Sequence, residues 1–174
     1  AIEKDPSPDN LYRLHTISEP RSQELIRRLN HARNGTRRLV QMRETLLDAL
    51  ASDKSLAGLD RDFVHLFTSL FNRGFLQLKP VNWETAASVL EKVIRYEAVH
   101  AITDWDELRR RIEPEDRRLF AFFHPQMHDE PLIFVEVALT TAIPTSISDV
   151  LRADRPIVER GEGTTAVFYS ISNC

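Results

Sequence analysis

The apolar positions change period part-way along the chain. Up to about residue 100 they recur at three- and four-residue intervals, which is the spacing of one helix face. Phe63, Leu66, Phe67, Leu70 and Phe71 form one such stripe. Asp60 is placed to cap its start, and Gly74 to be the left-handed residue after its end. An earlier stripe of Leu39, Met42, Leu46, Leu47 and Leu50 follows Thr36 as its N-cap. A third helix is predicted over 83–96 with Ala86, Leu90, Val93 and Ile94 inward, and shorter helices over 9–16 and 20–31. Amphipathic helices joined by short polar links predict a helical bundle.

Beyond residue 100 the pattern becomes strand-like. Asp104 and Glu107 form an Asp-x-x-Glu variant of the capping box and open a short helix over 105–112. Strands are predicted over 119–124, 132–140 and 165–171, the first and last apolar on both faces. The stretch from His124 to Pro131, with a proline at each end, reads as a hairpin connection. Ile147–Leu151 reads as one more helix, and 153–163 as a charged surface link. Strands apolar on both faces need cover from several helices, and only two short ones accompany them. Further chain, or a tightly packed partner, is therefore expected to complete the sheet.

Composition narrows the function. The 174 residues carry 23 Lys+Arg against 26 Asp+Glu, a net charge of −3, so no global field draws the chain to nucleic acid. The longest apolar stretch, Pro131 to Leu139, is interrupted by Glu136 and falls short of the ~20 residues that span a bilayer. No membrane association is expected. The start, Ala1 to Pro6, has no initiator Met and no basic or hydrophobic leader region, so it reads as a chain cut from something longer. The single cysteine, Cys174, excludes internal disulfides and cysteine-based zinc sites. It suggests a reducing compartment, and the cytoplasm is the expected location.

Several residues are candidates for chemistry. His124, His128, Asp129 and Glu130 put four potential metal ligands in seven residues. Pro125 argues against the helix that would align them, so a polar turn is the ordinary reading. His124 ends a very apolar strand, where an imidazole can serve as acid or base or can be a hydrogen-bonded structural group. Glu136, alone among apolar neighbours, reads either as a general base or as a solvent-facing or ion-paired group on a sheet edge. Arg109, Arg110 and Arg111, with Arg117 and Arg118, form a basic patch. It could receive a CoA 3′-phosphate or simply be a solvated helix face. His15, His31, His65 and His100 read as structural, and Ser170 and Ser172 lack a nucleophile motif. There is no P-loop and no Gly-x-Gly-x-x-Gly.

Longer strings carry a resemblance. Phe122-Phe123-His124-Pro125, the run Glu130 to Thr140, and Thr165 to Ser172 are similar to the malonyl-CoA decarboxylase family. Phe71-Asn72-Arg73-Gly74-Phe75-Leu76 and Tyr96-Glu97-Ala98-Val99-His100 resemble its bacterial form. The resemblance runs from about residue 20 to 174. It implies an all-helical N-terminal domain over 1–103, then the beginning of a GNAT-like mixed α/β catalytic domain over 104–174. It also implies conversion of malonyl-CoA to acetyl-CoA and carbon dioxide without biotin or metal, with the CoA thioester as substrate and no cofactor. Homo-oligomerisation through the helical domain is expected. The family's catalytic Ser–His pair and CoA-binding loops are expected beyond residue 174, and the isolated chain is expected to be inactive. His124 is the one position here that the resemblance marks as catalytic. Two alternatives stand beside this reading: a non-catalytic helical interaction module, and a GNAT-like acyl-CoA transferase.

Overall fold

A computed structural model describes residues 7–173, with His15 and Thr16 described by backbone alone. Cys174 and the amino-terminal stretch weighed above lie outside the described residues. The chain divides into two compact units between Gly74 and Phe75.

The first unit is helical: α1 (Pro8–Ile17), α2 (Arg21–Asn30), α3 (Gly35–Leu50) and α4 (Ala57–Leu70), with a 3₁₀ turn at Lys54–Leu56. Ser7 caps α1 by accepting from the Asn10 N–H, and Pro8 sits in the first turn, where it costs no hydrogen bond. The α2–α3 corner turns on Asn34, whose φ of 58° is left-handed, and on Gly35. A Cβ at Gly35 would come within 2.4 Å of the Leu29 carbonyl oxygen, so only glycine fits there. Thr36 is a buried residue inside α3 and not its cap; its hydroxyl donates to Asn30 Oδ1 at 2.8 Å. Ser22 and Gln23 at the start of α2 both donate to the carboxylate of Asp62 on α4.

Ile26, Leu39, Leu46 and Phe63 form the core, with Leu50, Leu56, Leu66 and Phe67 packed half-buried against it. Phe63, Phe67 and Phe71 meet edge to face in series. The predicted α3 stripe is too wide, because Met42 and Leu47 are about half exposed, at 47% and 48%. Asp60 does not cap α4, which begins a turn earlier off the 3₁₀ segment; it pairs with Arg43 at 3.0 Å. Gly74 is not left-handed: α4 ends at Leu70 with Phe71 as its C-cap, and the Gly74 N–H donates to Asn72 Oδ1.

The second unit is a four-stranded sheet in the order β1 (Gln77–Pro80), β2 (Arg117–His124), β3 (Met127–Thr140), β4 (Thr165–Asn173), with every neighbouring pair antiparallel. The unit is therefore α+β, and the helices α5 (Ala87–Tyr96), α6 (Trp105–Ile112) and α7 (Ile147–Leu151) are not parallel-strand crossovers. Asp104 caps α6 as predicted, accepting from the Glu107 N–H at 2.7 Å. The domain boundary predicted near Thr103 lies well downstream of the observed division. The cause is β1, a short exposed strand with no apolar run to announce it. β1 pairs with β2 and α5 packs on β3, so both belong with the sheet.

Val89, Leu90 and Val93 of α5 and Leu108 of α6 cover one sheet face, packing with Leu119, Ala121, Phe123 and Phe134. Of the opposite face, Phe120, Phe122, Ile133 and Val135 are half-buried, and Ile171 is 62% exposed. The described residues thus leave one sheet face incompletely covered, which agrees with the expectation that they do not supply cover for both. Phe63→Ala is expected to lower stability by about 3–5 kcal/mol, while Met42→Ala changes it by less than about 1. Urea denaturation checks this, and equal losses at both positions would refute the packing described for α3 and α4.

Candidate functional site

A β-bulge creates the polar centre of the second unit. Glu136 pairs with Ser170 and the next residue, Val137, with Phe168, which leaves Tyr169 as the extra residue. Strand alternation would have sent Tyr169 to the face opposite Ser170. The bulge instead buries both.

Glu136 is fully buried at 0% exposure, on an interior strand and not at a sheet edge. Its Oε2 accepts from Arg111 at 2.7 Å. Arg111, only 4% exposed, also donates from Nε and a terminal nitrogen to Glu107 at 3.0 and 2.9 Å, and from a terminal nitrogen to the His100 carbonyl at 3.4 Å. The i,i+4 spacing of Glu107 and Arg111 puts both on one face of α6. Arg111 and Arg117 lie over the Tyr169 ring at 5.7 and 5.5 Å, a cation–π pair sharing one phenol. Two buried polar atoms among the described residues have no hydrogen-bond partner, Glu136 Oε1 and the Tyr169 hydroxyl.

Burial pushes the Glu136 carboxyl up from its ordinary range, and the Arg111 guanidinium only partly offsets it. Burial, reinforced by Glu136, also raises the Tyr169 phenol. Burial is the largest single influence on Arg111 and works against its charge, but Glu136, Tyr169 and Glu107 together outweigh it and leave the guanidinium more firmly protonated than usual. Asp116 shows the opposite balance. Burial would raise it, yet Arg155, donating at 2.8 Å, and the Val158 N–H hold it below the ordinary aspartate range.

A second buried carboxylate works as a clip. Glu97, at the end of α5, accepts from the Ser170 and Ser172 hydroxyls at 2.8 and 3.1 Å and from the Val99 and His100 N–H groups, each at 2.8 Å. The two serines are thus committed to a carboxylate and are not set up as nucleophiles. His100 lies beside Tyr169.

His124 sits at the end of β2, 5% exposed, ahead of a two-residue Pro125–Gln126 turn. Its Nδ1 accepts from the Gln126 N–H at 3.1 Å, so the neutral ring carries its proton on Nε2. The predicted loop from His124 to Pro131 is mostly strand: β3 starts at Met127, and His128, Asp129 and Glu130 lie in an irregular stretch between the pairs His124–Met127 and Phe123–Pro131. Glu130 is bound to Lys92 of α5 at 2.6 Å, and His128 is exposed. Among the described residues no group of three His, Cys, Asp or Glu is placed to hold a metal ion. Of the remaining histidines, His31 follows the end of α2 and His65 is exposed on α4, while the His15 side chain lies outside the described residues.

The arginine patch separates by role. Arg109 stacks on Trp83, Arg118 donates to neighbouring carbonyls, and Arg110, Arg111 and Arg117 line a cavity. The sequence flagged Glu136 and the arginines singly. The i,i+4 relation of Glu107 to Arg111 was available to link them to α6, but nothing in the sequence announced the Tyr169 bulge.

Comparison with known proteins gives a consistent result. Residues 1–71 match the family model of the malonyl-CoA decarboxylase N-terminal domain, and 74–174 that of its C-terminal domain. Mitochondrial malonyl-CoA decarboxylase of Anser anser anser is 36% identical over 163 residues, covering 88% of this chain and 31% of that protein. The Mus musculus protein is 33% identical over 166 residues, covering 92% and 34%. The crystal structure of malonyl-CoA decarboxylase from Agrobacterium vitis superposes with a TM-score of 0.92 at 57% identity, over 99% of this chain and 42% of that one. That from Rhodopseudomonas palustris gives 0.88 at 55%, with the same coverage. The chain spans about a third of the length of these curated relatives.

Removing one member of the buried pair, by Arg111→Met or Glu136→Met, is expected to cost about 3–5 kcal/mol by stranding its partner. Replacing both, as Arg111→Met with Glu136→Met, should cost clearly less than the two single losses added together. A urea double-mutant cycle that is simply additive would show the two groups uncoupled. For Asp116 the folded value lies below the unfolded one. Its stabilisation is therefore complete above the ordinary aspartate range and lost as pH falls through the lowered value. The stability gap between the parent chain and Asp116→Asn should accordingly be open at pH ~7 and shrink in acid. A gap independent of pH would contradict the Arg155–Asp116 assignment.

Proposed function

The chain belongs to the malonyl-CoA decarboxylase family, and from that membership we propose that it serves a carboxy-lyase converting malonyl-CoA to acetyl-CoA and carbon dioxide. The paired family matches over 1–71 and 74–174 carry this reading, and the division of the chain into a helical and a sheet unit supports it. We read the sheet unit as the beginning of a GNAT-like catalytic domain, a reading supported by its antiparallel β1–β4 order.

In the proposed reaction the bond between the malonyl carboxylate carbon and C2 breaks. Carbon dioxide leaves, and the electron pair passes into the thioester as an enolate. Hydrogen-bond donors at the thioester oxygen stabilise that enolate, and a general acid returns a proton to C2. The scheme is acid–base chemistry and calls on neither biotin nor a metal.

His124 is the residue proposed to act in it. With Nδ1 accepting from the Gln126 N–H, the neutral ring has Nε2–H as its donor, and that is the group proposed to meet the malonyl carboxylate or another catalytic side chain. We also propose self-association through the helical unit, where Leu11, Tyr12, Leu14 and Ile17 of α1 are exposed. A cytoplasmic location is proposed in keeping with the solved bacterial relatives; no helix among the described residues is long and apolar enough to cross a membrane. Carbon dioxide release from malonyl-CoA without an acceptor amine separates this reading from acyl transfer, and from a non-catalytic interaction module.

In the complete enzyme, His124→Ala is expected to lower kcat/KM about 10²-fold, a transition-state loss of about 2.7 kcal/mol. His124→Asn keeps an acceptor near the Nδ1 position and should preserve the turn and the melting temperature while still losing turnover. Near-normal kcat/KM in the Asn variant would make His124 a structural residue of the hairpin.

A further inference from the structure

Five arginines line one cavity of about 170 Å³: Arg110 and Arg111 from α6, Arg117 from β2, and Arg152 and Arg155 from the segment after α7. No acidic residue lines it. Four carboxylates pair with these arginines from outside the lining. Glu107 serves Arg110 and Arg111, Glu136 serves Arg111, Asp116 serves Arg155, and Asp154 lies 3.7 Å from Arg152. The last pair is solvent-exposed and therefore weak.

Arg117 is the group left over. It is buried, donates to the Val150 carbonyl and rests on the Tyr169 ring, while the carboxylate whose charge acts on it, Asp116, is held directly by Arg155. Burial, and then the charge of Arg155, make it hold its proton less firmly than a free arginine does. A buried guanidinium crowded by like charges is costly unless an anion meets it. Planar guanidiniums match the oxygens of phosphate or carboxylate in a bidentate way, and several at one point favour the more highly charged phosphate. The rest of the wall includes Val150, Leu151 and Ile157, which suit an organic body and not a hydrated ion.

From this lining we propose that the cavity binds a small organic phosphate monoester, with the phosphate against Arg117 and Arg152 and the organic part against Val150, Leu151 and Ile157. Arg152 at the rim guides the anion in. The proposal is independent of the decarboxylase reading, because binding is measured with no malonyl-CoA present.

The test is titration calorimetry of the full chain with phenyl phosphate, inorganic phosphate and benzyl alcohol. Phenyl phosphate should bind at least about tenfold more tightly than either of the others, and its affinity should fall as salt rises. Arg152→Glu, at an exposed position, should weaken binding about tenfold or more with an unchanged circular dichroism spectrum. Arg117→Met should do the same, and the exposed Arg152 variant keeps the test alive if the buried one fails to fold. Absence of phenyl phosphate binding, equal affinity for inorganic phosphate, or unchanged affinity in Arg152→Glu would each overturn the assignment.

Discussion

The second unit is organised around the ion pair between Arg111 and Glu136. Two opposite charges buried in an apolar sheet–helix layer are expensive to desolvate, and their attraction offsets that cost only at close range and with further hydrogen bonds. Both conditions are met on one side of the pair: Glu107 and the His100 carbonyl take up the remaining Arg111 donors. The pair therefore fixes the position of α6 along β3 more sharply than the surrounding aliphatic contacts do. A slip of one residue in β3 would turn Glu136 to the other face and leave Arg111 with Glu107 as its one remaining ion-pair partner. The bulge follows the same logic. With Tyr169 brought to the inner face, its ring lies under both Arg111 and Arg117, a flat apolar support for two cations that would otherwise repel across the gap.

The other side of the pair is less complete. Glu136 Oε1 and the Tyr169 hydroxyl are buried without hydrogen-bond partners among the described residues, and both groups are pushed toward their protonated forms by burial. Unsatisfied polar atoms in a native interior mark a place where packing has been subordinated to another demand. Here that demand is electrostatic. Arg111 and Arg117 need nearby negative charge or π-density, and Glu136 and Tyr169 supply it.

What was legible in the sequence follows from how far each cue reaches. α6 was recovered with its Asp104 cap because capping is written in adjacent residues, and α7 because its apolar patch is local too. Long apolar strands were visible for the same reason. β1 was not, since Gln77-Leu78-Lys79-Pro80 has no pattern of its own and becomes a strand only by pairing with β2. That omission displaced the domain boundary. Met42 and Leu47 read as core because helical periodicity shows which side they lie on but not how wide a neighbour covers that side. Glu136 could be singled out as an anomaly, yet its depth depends on strand order and its companion on a helix 25 residues upstream. His124 was marked by its place after four apolar residues; its burial and its Nδ1 contact belong to a turn two residues long, shorter than the spacing of prolines suggested.

Asp116 and Glu136 show why burial alone does not decide a carboxylate's behaviour. Burial pushes both upward. Asp116 collects two hydrogen bonds from Arg155 and one from the Val158 N–H, so its charged form is favoured and its value falls. For Glu136 burial outweighs what Arg111 and Tyr169 return, and the charge of Glu97 adds to it, so its value rises. By linkage the two act in opposite directions: ionising Asp116 stabilises the fold, whereas ionising Glu136 draws on the stability that its protonated form would retain. The difference lies in the donors each carboxylate meets. Asp116 faces a segment rich in them, Arg155 to Val158, while Glu136 faces a sheet whose backbone donors are already used in strand pairing. A carboxylate in the middle of a strand has to find its counter-ion in a helix, and in this unit α6 provides one arginine at the required height.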